Sequence, residues 1–178
     1  MFDSAPRMFY LSVRNGVIAG ILGVVLMIVL YYMGRHPFLF PIYFDFRLVL
    51  LTVFLIVTLK EYRNYSQDGI LYFSQGMIIS LLFTIVFALV ASSLIGLFGY
   101  LFPEFLNTYI TMATEQLRGI QPEMIEQIGK EAYEKGISQL PATKMTDLMI
   151  DYFIKSFVIS FFVSIIISVI LRKQPKNQ

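Results

Sequence analysis

The chain has 178 residues, 57% of them hydrophobic, and a mean hydropathy of +0.69. Soluble domains sit near 45–50% apolar, so this composition excludes an ordinary soluble fold and points to one membrane domain over residues 1–178. A formal charge of +2, with the basic excess gathered at the termini, excludes a nucleic-acid-binding stripe, and the lack of Cys excludes disulfides, thiolate metal sites and cysteine nucleophiles.

The first apolar run, residues 16–33, follows Arg7 and Arg14. It exceeds the ~7–15 residues of a signal-peptide core and ends in Tyr31-Tyr32-Met33-Gly34-Arg35 rather than at small residues, so it reads as a retained span. His36, the single His of the chain, follows between Arg35 and Pro37; one imidazole cannot form a histidine cluster, and a satisfied interfacial residue is expected.

A second span is expected over residues 40–59, yet its uncharged part is only the twelve residues 48–59. Twelve residues rise about 18 Å as a helix, against a hydrocarbon core about 30 Å thick. Crossing therefore carries Asp45 and Arg47 into the membrane. The turn that follows contains Lys60, Tyr62, Arg63 and the strong turn pair Asp68-Gly69. Lys60 and Arg63, with Arg172 and Lys173 at the far end of the chain, suit anionic headgroups, either as topogenic anchors or as specific phosphate contacts.

Residues 76–102 form the third predicted span and residues 148–171 the fourth. Between them, residues 103–147 carry seven acidic residues against Arg118, Lys130, Lys135 and Lys144. Phe105, Leu106, Tyr109, Ile110, Ala113 and Leu117 recur at helical spacing, continuing the third span as an amphipathic helix that Gly119 ends. Pro122 opens a second helix that stops before Pro141. The fold class is thus an all-α membrane protein with four transmembrane helices and an extramembrane helical hairpin between the third and fourth. Arg7, Arg14, Lys60, Arg63, Arg172, Lys173 and Lys176 lie on one side, and the first short loop on the other offers only Arg35 and Arg47, which places both termini in the cytoplasm and residues 103–147 outside, periplasmic in a bacterial inner membrane.

Small residues recur every fourth position: Gly16 and Gly20, Ala19 and Gly23; Gly76, Ser80, Thr84, Ala88, Ser92 and Gly96; Ser156, Ser160, Ser164 and Ser168. Such stripes are helix contact faces, within one bundle or between copies in a homo-oligomer. Measured along each span at ~1.5 Å per residue, Asp45, Arg47, Asp151, Lys155, Tyr31, Tyr32 and Ser92 fall in one layer in the outer half of the membrane. Asp151 and Lys155 can pair along one helix face, whereas Asp45 and Arg47, two apart, point in different directions, which suggests pairing across helices. The layer reads either as a polar cleft for a lipid headgroup or small solute, or as snorkelling cations paired with nearby carboxylates.

At its inner turn the chain resembles a bacterial domain-of-unknown-function family of small four-span membrane proteins. The resemblance rests on Lys60-x-Tyr62-Arg63, on Gly69-x-x-x-Phe73-x-x-Gly76, on the acidic amphipathic insertion and on the Arg172-Lys173 end; Asp45 and Arg47 are outside its pattern. It implies an inner-membrane location and an association with membrane glycosyltransferases that use polyprenyl-phosphate sugars. The functional expectation is a non-enzymatic accessory or scaffold protein in the lipid bilayer, without cofactor, metal or nucleic-acid partner; the alternative is a lipid- or solute-binding or transport protein working through the polar cleft.

Overall fold

The computed structural model describes residues 5–40 and 45–174. Lys176 and residues 41–44, at the start of the second predicted span, lie outside the described residues. The elements are α1 (Ala5–Tyr32), α2 (Phe46–Ser66), α3 (Phe73–Leu101), α4 (Glu104–Arg118), α5 (Pro122–Ile128), α6 (Lys130–Gln139) and α7 (Met145–Leu171), with single 3-10 turns at Pro37–Leu39 and Leu140–Ala142. Every named element is helical, as the composition predicts.

Three helices are long and apolar enough to cross a membrane: Pro6–Tyr32, Phe73–Leu101 and Met145–Leu171. The first two contain uncharged apolar runs of the length a bilayer demands, whereas the third has sixteen uncharged residues, Ser156–Leu171, and reaches that length only with the turn that carries Asp151 and Lys155. α2 is not among them by composition, because Arg47, Lys60, Glu61 and Arg63 dilute its apolar centre. It nonetheless packs on α1 and α7 through a fully buried row of Leu51, Leu55, Leu59 and Tyr62.

α3 is the hub, packed against α1 on one side and α7 on the other. The small-residue stripes make these seams. A Cβ at Gly16 would stand 3.0 Å from the Phe83 carbonyl oxygen, and one at Gly76 would stand 2.9 Å from Ser168 Oγ. On the α7 side Ser156, Ser160, Ser164 and Ser168 are all buried, and the hydroxyls of Ser160 and Thr84 meet across the seam. Where apolar packing gives no preference for protein over lipid, close backbone approach and such hydroxyl pairs supply the association.

The helix ends opposite the α4–α6 insertion are fastened by polar contacts that the periodicity does not announce. Arg14 pairs with Glu61 at 2.5 Å, Asn15 Nδ2 donates to Thr58 Oγ1 at 3.0 Å, and Ser12 Oγ donates to the Ile79 carbonyl at 3.1 Å. Leu71 and Lys173 exchange two backbone hydrogen bonds of 2.9 Å, pinning the α2–α3 turn to the end of α7. The turn itself follows the sequence signal: Asp68 and Gly69 adopt φ values of 46° and 82°.

The insertion differs from expectation in two places. α3 stops at Leu101 and α4 begins as a separate helix after Pro103, whose ring cannot continue the backbone ladder. The second helix is broken into α5 and α6 at Gly129, which adopts φ 94°, a conformation open to glycine. Gly119 ends α4 as the sequence indicates.

Candidate functional site

Asp45 lies just before α2 in an extended conformation, φ −74° and ψ 111°, and caps the helix by accepting the Arg47 backbone N–H at 2.9 Å. Because Asp45 is outside the helix, its side chain folds over the first turn and also accepts from Arg47 Nε at 2.7–2.8 Å and from Nη2. The pair is local, which corrects the expectation that residues two apart diverge and seek partners on other helices. Both side chains are about nine-tenths buried. The guanidinium also stacks over the ring of Tyr152, with Cζ 4.7 Å from its centroid. Through that contact the pair at the start of α2 is locked to α7.

Asp151 and Lys155 pair along α7 at 2.7 Å, as their spacing predicts, and both remain partly exposed. The remaining layer residues separate. Ser92 donates back to the Leu89 carbonyl at 3.3 Å within its own helix, Tyr32 is exposed, and Tyr31 enters an aromatic cluster. One buried ion pair, one partly exposed ion pair and an aromatic cluster therefore occupy the level where an open cleft was one expectation. Tyr152 is the residue that sequence reasoning missed. It heads the same four-residue ladder as Ser156 and Ser160, which is the signal that marks it as facing the bundle.

The aromatic cluster surrounds His36, 3% exposed, with Phe105, Tyr109, Phe38 and Tyr31 at centroid distances of 4.6, 5.3, 5.9 and 6.0 Å. Its Nε2 lies 3.1 Å from the Phe105 carbonyl, to which an N–H donates, so the connector that follows α1 is clasped to α4. The expectation of a satisfied imidazole holds for this nitrogen alone, because Nδ1 is buried without a partner. Burial pushes the His36 pKa down to about 4, against the opposing pull of the Phe105 carbonyl. Burial also raises the pKa of Tyr109, with the Asp151 charge adding to it.

His36 thus binds a proton more weakly folded than unfolded. Its contribution to stability is present above about pH 6.5 and falls as the pH drops toward 4, by up to about 3 kcal/mol. Unfolding of the wild type and of His36→Phe, compared at pH 7 and pH 4.5 in one detergent, should show the acid-induced loss larger in the wild type by that order. A difference between the two proteins that stays constant with pH would refute the assignment.

Several of the headgroup candidates meet at the helix ends opposite the α4–α6 insertion. Arg63 Nη1 donates to the Leu171 carbonyl at 3.4 Å, Arg172 and Lys173 follow at the end of α7, and Lys60, Arg172 and Lys173 are exposed. Arg7 joins them by donating to the Tyr65 carbonyl at 3.0 Å.

Residues 14–173 match the model of a family described as a protein of unknown function (DUF4199), in agreement with the resemblance read from the motifs. No curated protein and no solved structure matches the chain.

Proposed function

The chain belongs to the DUF4199 family, and from its own geometry we propose that it is a four-span, non-enzymatic accessory protein that docks a membrane partner through its α4–α6 cap. α2 has 21 residues, about 32 Å of helix, which matches the bilayer core of about 30 Å. Its charged ends and its buried contact row suit a fourth span whose ionic entrance is closed on itself. The cations Arg7, Lys60, Arg63, Arg172 and Lys173 at the opposite end from the cap support cytoplasmic termini and a periplasmic cap in a bacterial inner membrane. Asp45 and Asp151 are each held by a cation, which favours structural roles for them over general-base chemistry.

The observation that carries the docking reading is that α5 and α6 stay helical while burying no residue. Met124 and Ile128 are half exposed there, set among Glu123, Glu126, Glu131 and Glu134 and offset only by Lys130 and Lys135. An acidic surface is repelled by anionic headgroups, so the bilayer is a poor partner for this face. A membrane protein with a basic, apolar outer surface fits it, and the polyprenyl-phosphate-dependent glycosyltransferases implied by the resemblance are the first to try.

Crosslinking in native membranes followed by purification in mild detergent should recover such a partner. The double change Met124→Glu, Ile128→Glu should reduce the recovery by about tenfold or more, as removal of interface anchors does. Recovery of the protein alone, or of homo-oligomers alone, would overturn the proposal.

A further inference from the structure

A groove of about 630 Å³ runs between α2 and α7, in the range that small ligands fill. Leu48 and Thr52 form its α2 wall; Ile159, Phe162 and Ile166 form much of the α7 wall, and Lys155 stands at the end nearer the cap. From Lys155 to Ile166 the groove follows eleven residues, about 16 Å of helix, close to half of the ~30 Å hydrocarbon core. Its length is that of one leaflet.

Only two polar side chains line it among the described residues. Thr52 Oγ1 donates to the Leu48 carbonyl at 2.6 Å, so its proton is already used. The Lys155 ammonium gives one proton to Asp151 and keeps two more donors for another acceptor. The groove therefore offers an apolar trough for a chain and, at one end only, a cation for an anion. A packing helix would need a matching acid at that level and would cover the ion pair.

We propose that this groove binds a phospholipid of the cap-side leaflet, with one acyl chain between α2 and α7 and an anionic phosphate headgroup on Lys155. The site goes beyond the docking of a partner by the cap and does not depend on it. Asp151, 2.7 Å from the Lys155 ammonium, offsets part of its charge and keeps the site from becoming a general anion trap.

The test uses the full chain in detergent, titrated with phosphatidylglycerol or phosphatidylcholine and observed by native mass spectrometry. Phosphatidylglycerol should be retained in preference. Lys155→Met should weaken phosphatidylglycerol about fivefold, the effect of one cation near a phosphate, and leave phosphatidylcholine unchanged. Ile159→Trp, which fills the trough, should reduce retention of both. In parallel, a photoreactive benzoylphenylalanine at Val158, another groove residue, should give an adduct with the mass of a phospholipid in native membranes. An adduct to a protein, or wild-type phosphatidylglycerol retention by a folded Lys155→Met variant, would overturn the proposal. Because neither readout involves α5 or α6, failure here is distinct from failure of partner docking.

Discussion

The Asp45→Ala variant should lose about 3–5 kcal/mol of stability, because it leaves the Arg47 guanidinium buried beside Tyr152 without a counter-charge. Asp45 accepts three hydrogen-bonding groups of Arg47, and Arg47 Nη1 has no partner among the described residues. Removing the carboxylate strands the remaining protons at a depth where water is scarce. Two further variants divide the loss into its causes. Asp45→Asn keeps an oxygen that can cap α2, worth about 1 kcal/mol, while removing the charge. The double change Asp45→Ala, Arg47→Met removes both charges and should recover most of the stability, since apolar replacement of a buried pair is often neutral. Denaturation in mixed micelles, followed by circular dichroism, reads all three. If the double variant is as unstable as Asp45→Ala, the pair is not what holds α2 to α7.

How far the sequence reveals this molecule depends on the range of each signal. α1, α3 and α7 are legible because long, strongly apolar runs have few alternatives, and the Ser156–Ser168 ladder correctly marks the face of α7 that meets α3. The layer residues are legible as a set, but their pairing is not. It turns on whether Asp45 is inside the helix, and one residue's displacement into the cap position redirects its side chain onto Arg47. Tyr152 is marked as bundle-facing by its place in the same ladder, but its role is hidden because that ladder carries no sign of the Arg47 guanidinium it meets. The His36 clasp and the Leu71–Lys173 bridge join residues far apart in the chain through backbone carbonyls and amides, groups that every residue carries and no periodicity distinguishes. The groove between α2 and α7 is likewise an outcome of how two helices diverge, which hydropathy does not encode.

Gly16→Leu should open the α1–α3 seam and cost about 3 kcal/mol or more, the upper part of the range for overpacking. The reason lies in what a side chain would meet there. A Cβ on Gly16 stands 3.0 Å from both the Phe83 carbonyl oxygen and Val86 Cβ, and one on Gly20 stands 3.0 Å from Val90 Cγ1 and 3.2 Å from the Phe87 carbonyl. Those carbonyls belong to the α3 backbone and cannot rotate away, so the helices must separate, and separation forfeits the dispersion contacts along the seam. Gly16→Ala gains up to about 1 kcal/mol of helix propensity, yet should still destabilise by about 1–2 kcal/mol for the same reason. Gly99 is the informative contrast. A Cβ there comes closer still to its neighbour, but that neighbour is the Sδ and Cε end of Met145, a flexible side chain that can move aside. Gly99→Ala should therefore be nearly neutral. The order of stability in micelles, Gly99→Ala above Gly16→Ala above Gly16→Leu, checks whether the seam is set by backbone contact; a Gly99→Ala variant less stable than Gly16→Ala would show that it is not.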